Sequence, residues 1–540
     1  MPGRPSHEPW PEGLERDLES PRAFGAAAAG GDGVEIIQTH LSRVHLVGDR
    51  VYKLPRAVDV GFVSFALRSE RLLECRREVE INRRLAPDVY LGVAPVVRRD
   101  GAWCIGPLDT QPGDLSDATE FVIVMRRLPE GRDAQSLLEA GRLGVASIQR
   151  LATRLARFHR DHGLGRPAPF EPAAWQARNA DPILSNFETL ERAADVFLQK
   201  EAVLSLRSKT GSALESHAER FERRRLAGRA VDAHGDLHLQ HIWFESDEAE
   251  PLAIDALVFR EDLRRIDAAS EMAFLAMDLR YRGRTDLAEH LLARYAAESD
   301  DYDLYSVVDL YASYRAAVRA KVAALAALDP ALDPGQRERS AESARRHVEA
   351  AEAHLERPRG GPLVLVAGTV GSGKSTVARA LARPGGVPVI ASDVLRGRVV
   401  GDAGGPADRY SADARDRVYG AMLERARSLL LAGRPVILDA TFARNAHRDA
   451  ARRLAREIGA DCWWVEVHCA RETALARLAA RVARGDDASE AGPAQLEQSL
   501  REFEAPGGWP PGAAFEIHTD QDDATRRCEE LARRLGESAG

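Results

Sequence analysis

Residues 362–382 read PLVLVAGTVGSGKSTVARALA, and this stretch decides the fold of the C-terminal part of the chain. An apolar run comes first and a helical pattern comes last; between them, Gly368 to Ser375 fits G-x-x-x-x-G-K-[ST]. Glycines let backbone N–H groups approach phosphate oxygens closely, and a helix N-terminus adds a positive partial charge. The sequence therefore predicts a phosphate-binding loop between a buried strand and a helix.

The residues of this loop have expected contacts with a nucleotide. Lys374 is expected to reach the β- and γ-phosphates of ATP and to act in catalysis, and the Ser375 hydroxyl is expected to ligate Mg²⁺. The predicted nucleotide-binding set is Gly368, Gly371, Ser372, Gly373, Lys374, Ser375 and Thr376. The alternative is a glycine-rich turn between a strand and a helix that matches the motif by chance.

Two later strands are predicted to end in charged residues. The first runs through VPVIASD, which ends in Asp393, and Arg396 follows three residues later. A carboxylate there can accept a proton from a substrate hydroxyl, and an arginine can hold a substrate anion. Asp439 ends the second strand, in VILDATF, and is predicted to hold Mg²⁺ through water or to orient Ser375. The alternatives are a helix N-cap with a surface arginine, and an aspartate that caps a turn.

Four arginines occupy the predicted helix in RETALARLAARVARGDDASEA, namely Arg471, Arg477, Arg481 and Arg484. Arg477 and Arg481 are one helical turn apart and therefore share a face. We expect this face, with Arg481 as its catalytic member, to close over the transferring phosphoryl group as a lid. An ordinary solvated arginine face is the alternative.

The strands PLVLVAG, VPVIASD, RPVILDATF and CWWVEVHC alternate with helices, which predicts a parallel sheet covered by helices. Residues 361–535 resemble the small P-loop kinases grouped around gluconate kinase and the kinase domain of polynucleotide 5′-kinase. The resemblance rests on GTVGSGKST, SDVLRGR, RVYGAML, VILDATF and RLAARVARGDDASEA, in that order. It implies ATP-dependent phosphorylation of a hydroxyl, with Asp393 as the base.

The N-terminal part has weaker motifs, in VYKLPR, RREVEINRRL, HGDLHLQHIWF and the predicted strand PLAIDALVF. Through them residues 34–355 resemble the aminoglycoside-phosphotransferase-like branch of the protein-kinase fold. The whole chain resembles a bacterial family that fuses such a domain to a P-loop kinase. The resemblance implies that Lys53 pairs with the α- and β-phosphates and that Glu78 positions Lys53. It further implies that Asp236 accepts the hydroxyl proton and that Asp255 ligates Mg²⁺.

His241 departs from that pattern, which has Asn five residues after the catalytic aspartate. Imidazole is a poor ligand for Mg²⁺, a hard cation that prefers oxygen. Several alternatives stay open: one metal at Asp255 suffices for a slower kinase, His241 ligates a softer ion such as Mn²⁺, or the domain binds nucleotide or substrate without transferring anything. His241 packing behind the loop is a further alternative.

The bulk composition limits the classes of function. The chain has 540 residues, too many for one hydrophobic core, and a formal net charge of −8, which argues against a protein built to coat nucleic acid. We predict a flexible segment over 1–33, an α+β protein-kinase-like domain over 34–357 and an α/β P-loop domain over 358–540. Five scattered cysteines and no apolar run of about 20 residues predict a cytoplasmic protein outside the membrane.

The leading interpretation is an ATP-dependent phosphotransferase whose P-loop domain phosphorylates a hydroxyl of a small molecule, while the N-terminal domain binds nucleotide or substrate. A polynucleotide 5′-hydroxyl kinase is less favoured, because the chain has no evident platform of aromatic and basic residues. A nucleotide-driven switch with a ligand-sensing first domain is the third alternative. A kinase acting on a cell-wall sugar nucleotide is the fourth. The oligomeric state has no signal in the sequence.

Overall fold

A computed structural model describes residues 7–28, 33–59, 64–108, 118–356, 360–400, 411–484 and 493–539. The chain divides into two compact units. The first comprises Met1–Arg150, Asp161–Gly163 and Ala230–Glu271, and the second comprises Leu151–Arg160, Leu164–Arg229 and Met272–Gly540. The second unit thus combines helices of the predicted first domain with the P-loop part, and the predicted boundary at residue 358 stays a prediction.

The strands are β1 Glu35–Gln38, β2 Ser42–Val47, β3 Arg50–Pro55, β4 Tyr90–Arg99, β5 Ala102–Ile105, β6 Glu120–Arg126, β7 Ala230–Asp232, β8 Ile242–Trp243, β9 Leu252–Ala253, β10 Arg265–Asp267, β11 Leu363–Ala367, β12 Val389–Ala391, β13 Val436–Asp439, β14 Cys462–His468 and β15 Ala514–His518. The α-helices up to residue 300 span Leu14–Asp17, Arg68–Asn82, Ala134–Glu139, Val145–Asp161, Pro172–Leu184, Asn186–Ala194, Lys200–Leu226, Glu261–Arg264, Ala268–Tyr281 and Thr285–Ser299. The later α-helices span Val308–Leu328, Pro334–Ala353, Lys374–Ala382, Ser392–Val400, Ala412–Leu431, Asn445–Ile458, Arg471–Arg484, Pro493–Glu502 and Ala524–Ala539. Short 3₁₀ helices span Pro21–Ala28, Leu239–His241 and Tyr302–Ser306.

The first unit is built on an antiparallel sheet with the strand order β1-β2-β3-β6-β4-β5. A hairpin joins β2 and β3: Val47 pairs with Arg50 across the turn at Gly48, whose φ is 55°. In β3, Lys53 pairs with Val44 on one side and with Ile123 on the other, so it lies in the interior of the sheet. The helix Arg68–Asn82 contacts β4 and β6.

The expectation that residues 1–33 are flexible is wrong for residues 7–28, which the structure describes. Leu14, Leu18 and Phe24 are buried in one cluster with Leu54 of β3 and Val122 of β6. The Pro, Gly and Ala content that suggested flexibility conceals these three apolar anchors. Their burial fixes the segment on the sheet.

The predicted strand PLAIDALVF is also wrong in its extent, since only Leu252–Ala253 forms a strand, paired with Ile242–Trp243. Asp255 has a φ of 61°, in the left-handed region that a strand cannot accommodate. The chain therefore turns at Asp255, which places its carboxylate at the site described below.

The second unit contains the predicted parallel sheet, with the strand order β12-β13-β11-β14-β15 and parallel pairing throughout. All five residues of β11 are buried, which explains its continuous apolar sequence. The helices Lys374–Ala382 and Ala524–Ala539 pack on the sheet in a shared core cluster. The topology confirms the α/β class predicted for this part of the chain.

Helices from the predicted first domain pack against the P-loop part within the second unit. Arg425 pairs with Asp300 at 2.6 Å, and Arg434 pairs with Asp309 at 2.9 Å. A Cβ atom added at Gly386 would lie 2.5 Å from the backbone nitrogen of His290, so the backbones approach too closely for a side chain. In the described part of the chain, no helix is both long and apolar enough to cross a membrane.

Candidate active sites

The phosphate-binding loop joins β11 to the helix Lys374–Ala382. Gly371 and Gly373 have φ values of 83° and 95°, a conformation that glycine adopts without strain. A Cβ atom at Gly371 would also lie 3.0 Å from the carbonyl oxygen of Ala474. The motif glycines are therefore required both by backbone conformation and by close packing, as a phosphate-binding loop demands.

Arg477 holds this loop in place. Its guanidinium donates hydrogen bonds to the carbonyl oxygens of Gly371 at 3.4 Å and Ser372 at 3.1 Å, and to the hydroxyl and carbonyl oxygens of Thr519 at 2.8 and 3.1 Å. The Thr519 hydroxyl itself donates to the Ser372 carbonyl at 2.6 Å. In this structure the Nη atoms of Arg477 bind the loop backbone and Thr519, and its expected part in a closing lid stays a prediction.

The other arginines of the predicted lid lie on the same helix, Arg471–Arg484. Arg471 forms an ion pair with Glu497 at 2.6 Å, on an exposed surface. The side chain of Arg481 is half-buried, the side chain of Arg484 lies outside the described residues, and so do residues 485–492. The catalytic role of Arg481 stays a prediction.

Acidic and hydroxyl side chains meet at the carboxyl edge of the parallel sheet. Asp439 ends β13 and lies level with Val366 of β11 and Ala391 of β12. Its carboxylate accepts a hydrogen bond from Ser375 and lies within electrostatic range of Lys374 and Asp393. Burial, and then the charge of Asp393, raise the pKa of Asp439 against the opposing effects of Lys374 and Ser375.

Next to this edge lies a group of residues for which the sequence indicated no role. The Tyr419 hydroxyl lies 3.2 Å from the Thr441 hydroxyl and accepts a hydrogen bond from the backbone N–H of Phe442 at 2.9 Å. His447 stacks on the Tyr419 ring at 3.9 Å. Burial raises the pKa of Tyr419, and Arg396, itself buried, lies close enough to oppose that shift. RVYGAML contains Tyr419, but only the fold brings Thr441 and Arg396 to it.

In the first unit, Lys53 forms ion pairs with Glu78 and Asp255, each at 2.8 Å. Burial lowers the pKa of Lys53, but the two carboxylates outweigh it, so the net pKa lies well above the ordinary value. Lys53, followed by His241, holds the pKa of Asp255 below its usual range. The three residues that the resemblance singled out from distant parts of the sequence therefore meet at one point.

The loop that carries Asp236 is held by Glu271, a residue without an assigned role in the sequence analysis. Its buried carboxylate accepts hydrogen bonds from the backbone N–H groups of His234 at 3.1 Å and Gly235 at 2.8 Å. His234 Nε2 lies 2.8 Å from the carbonyl oxygen of Ile254, which links this loop to the one carrying Asp255. Asp267 accepts a hydrogen bond from the N–H of Ala269 at 2.8 Å and caps the following helix.

His241 lies in the site and does not pack behind the loop. Its Nδ1 lies 2.8 Å from the carbonyl oxygen of Asp236, and its Nε2 lies 3.8 Å from the carboxylate of Asp255. His238 lies beside it, with the two ring centroids 3.9 Å apart. Asp236, His238 and His241 thus form a compact group of carboxylate and imidazole ligands.

Comparison with known proteins relates most of the chain to a bacterial family. The uncharacterized protein Rv2004c of Mycobacterium tuberculosis (strain ATCC 25618 / H37Rv) is 32% identical over 465 residues, covering 84% of this chain and 88% of the relative. The uncharacterized protein Mb2027c of Mycobacterium bovis matches to the same extent. The chain belongs to the family of these mycobacterial proteins. A family model described as an AAA domain, AAA_33, matches residues 363–506, the P-loop part.

Solved kinase structures are similar to each part separately. A gluconokinase from Sinorhizobium meliloti 1021 is 24% identical, covers 33% of this chain and 95% of its own, and has a TM-score of 0.25. A choline/ethanolamine kinase family protein from Mesorhizobium loti is 15% identical, covers 63% of this chain and 98% of its own, and has a TM-score of 0.34. TM-scores this low do not establish a fold, so the fold is assigned from the strand order and the motif geometry of the chain itself. A protein-kinase-like α+β part precedes a P-loop domain.

Proposed function

We propose that this protein is an ATP-dependent phosphotransferase whose P-loop domain transfers a phosphoryl group to a hydroxyl of a small molecule. The observation that carries the proposal is the meeting of the glycine-rich loop, Ser375, Asp439 and Asp393 at one edge of the parallel sheet. In α/β sheets this carboxyl edge is where ligands bind.

The residues at this edge fit a Mg²⁺ ion. Within the described residues, Asp439 Oδ1 is buried and accepts no hydrogen bond, whereas the same carboxylate receives the Ser375 hydroxyl. A buried acceptor without a partner is costly unless an ion or water satisfies it, and carboxylate and hydroxyl oxygens suit Mg²⁺. Ser375 and Asp439 would hold the ion, which when bound neutralises charge on the phosphates.

In the proposed reaction, Asp393 accepts the proton of the acceptor hydroxyl. The hydroxyl oxygen forms a bond to the γ-phosphorus, the bond from that phosphorus to the β–γ bridging oxygen breaks, and ADP leaves. Lys374 and the N–H groups at the start of its helix hold the phosphates and the developing charge. Arg396, which is buried within electrostatic range of Tyr419, would orient an anionic group of the acceptor.

The N-terminal kinase-like part is proposed to bind nucleotide or substrate through Lys53, Glu78 and Asp255. The pair of Lys53 and Glu78 is already formed at 2.8 Å, which supports a site prepared to receive phosphates. A polynucleotide acceptor stays less favoured because of the net charge of −8. Filter binding of a labelled oligonucleotide tests this alternative, since true binding would weaken steeply with salt.

The base is tested with Asp393→Asn, a replacement of nearly equal shape. We expect acceptor-dependent ATP turnover, measured with pooled metabolites as acceptors, to fall by roughly 10²–10⁴-fold because general base catalysis is lost. ATP binding is expected to persist, because Asp393 does not touch the loop backbone in our account. Asp413→Asn, an exposed aspartate in the same part of the chain, is the control. Full turnover in Asp393→Asn would rule out this base, and slow hydrolysis indifferent to every acceptor would favour a nucleotide-driven switch.

A further inference from the structure

We propose that Asp236, His238 and His241, together with Asp255, bind a divalent transition-metal ion of the series from Mn²⁺ to Zn²⁺ in preference to Mg²⁺. One ligand atom from each of the first three residues lies within 4.8 Å of the others. This site is separate from the P-loop chemistry, so either proposal can fail without the other.

Local backbone geometry brings the two imidazoles together. His238 precedes the 3₁₀ turn Leu239–His241 as its N-cap. The backbone of His238 is extended, with φ −128° and ψ 173°, and the turn that follows brings His241 back beside it. The resulting separation of the ring centroids is 3.9 Å. The H-x-x-H spacing in HGDLHLQH therefore creates a paired donor set that a single histidine would not.

Hydrogen bonding orients His241 for ligation. A backbone carbonyl only accepts, so the 2.8 Å contact between His241 Nδ1 and the Asp236 carbonyl oxygen places the ring proton on Nδ1. The lone pair is then on Nε2, which lies 3.8 Å from Asp255 Oδ2. Metal-bound histidines are held in this way, with one nitrogen donating to a carbonyl or carboxylate and the other facing the metal.

The two carboxylates complete the donor set. Asp255 uses Oδ1 for the ion pair with Lys53, which leaves Oδ2 on the side of His241. Asp236 Oδ2 lies 3.8 Å from His238 Nε2, while the protonated Nδ1 of His241 is engaged by the Asp236 carbonyl and is not a ligand atom. The spacing of the donors is wide enough for an ion between them, since metal–ligand distances of about 2.0–2.2 Å separate ligands by several ångströms.

The chemistry of these donors decides the class of ion. Mg²⁺ favours an octahedral shell of oxygens, whereas imidazole favours the later first-row metals. The side chain of His238 is 7% exposed and that of His241 is 17% exposed, but that of Asp236 is 41% exposed. The imidazoles are thus held inside while the carboxylate side stays open to water, an arrangement typical of sites that keep a free coordination position.

The test is the binding of Mn²⁺ to the nucleotide-free full chain. Binding is measured by electron paramagnetic resonance, and Zn²⁺ and Mg²⁺ are added as competitors. We expect one tight equivalent, displaced by Zn²⁺ but resistant to excess Mg²⁺, and spin-echo modulation from imidazole ¹⁴N. His241→Asn and His238→Gln should each weaken Mn²⁺ binding roughly 10–100-fold, the loss typical even for groups that only orient metal ligands.

His40→Asn, at an exposed histidine in the same compact unit, is the matched control and should bind as the wild type does. Thermal melts of all variants establish that they fold. Mn²⁺ bound without ¹⁴N modulation, or bound equally well by the double variant His238→Gln/His241→Asn, would overturn the proposal. Displacement by Mg²⁺ at a similar concentration would overturn the claimed preference.

Discussion

Arg477 is a residue whose contacts the sequence does not predict. Its guanidinium donates hydrogen bonds to carbonyl groups of the phosphate-binding loop and to Thr519, so it holds the loop in place. A hydrogen bond from a charged group contributes about 1.5–3 kcal/mol. We therefore predict that Arg477→Ala raises KM for ATP by roughly tenfold or more, with a smaller effect on kcat.

Steady-state kinetics separate this role from that of a lid. A residue that closes over the phosphoryl group would change kcat at an unchanged KM. Arg477→Lys keeps the charge but not the fork of donors, so it should restore ATP binding only in part. Arg471→Ala, at an exposed position of the same helix, is the control.

His45 makes the stability of the first unit sensitive to acid. It is fully buried on β2, and burial, followed by Arg43, lowers its pKa to about 4, while Glu19 opposes the shift. In the unfolded chain a histidine has a pKa of about 6.5. Between these values the unfolded state binds more protons, so the free energy of unfolding falls as the pH drops from about 6.5 towards 4.

Urea unfolding at pH 7 and pH 5 measures this effect. We expect His45 to account for about 2 kcal/mol of the stability lost between the two values. His45→Phe has no titratable ring and should lose correspondingly less than the wild type. Equal losses in both proteins would show that His45 is already protonated or exposed in the folded state.

Site residues could be predicted from the sequence only where a motif carries them. GTVGSGKS and HGDLHLQH identify their loops because the chemistry needs those residues at fixed spacing. Glu271 and Thr519 belong to no such motif, since each acts through a contact with a loop distant in sequence. The sequence does not predict that His238 meets His241, because their contact depends on a 3₁₀ turn that apolar periodicity does not reveal.

At the scale of helices, the second unit contains a buried ion pair between Arg224 and Asp301. The side chains are each 1% exposed, and they meet at 2.8 Å. Breaking a buried pair from one side costs about 3–5 kcal/mol when the remaining charge is uncompensated. Asp301 keeps Arg229, whose Nε lies 3.5 Å from Oδ1, so the loss is expected near the lower end of that range. We predict this loss of unfolding free energy for Arg224→Met, measured by urea unfolding.

Arg207→Met provides the matched control on the same helix, Lys200–Leu226. Arg207 pairs with Glu191 where the side chains are 55% and 37% exposed, so its loss should cost no more than about 1 kcal/mol. If the two variants are equally stable, the burial of Arg224 contributes nothing to the packing of this helix. A larger loss in Arg207→Met would contradict the account outright.

Elements were predictable where one periodicity dominated. The strands around β11 and the helix Val145–Asp161 follow directly from continuous and helical apolar patterns. The packing of the segment before β1 is not evident from the sequence, because its three buried apolar residues lie among many Ala and Gly residues. The predicted strand through Asp255 is too long. The apolar pattern continues past Asp255, but the positive φ of this residue ends the extended conformation.

At the scale of the whole molecule, the packing does not follow the order of the predicted domains. Asp300 and Asp309, from helices near the middle of the chain, pair with Arg425 and Arg434 of the P-loop part. Such pairings join segments more than a hundred residues apart, and the sequence offers no signal for them. The P-loop part is therefore packed against helices that precede it in the chain.

The central claim is that the P-loop domain performs the phosphoryl transfer. The most direct measurement is acceptor-dependent ATP turnover by the wild type, by Lys374→Ala and by Lys200→Ala, an exposed lysine as control. We predict that Lys374→Ala loses at least about 10²–10³-fold in turnover with an unchanged thermal melt, because the main cation at the phosphates is gone, and that Lys200→Ala keeps full activity. Full turnover in a folded Lys374→Ala protein would contradict the account and assign the chemistry to the site at Lys53 and Asp236.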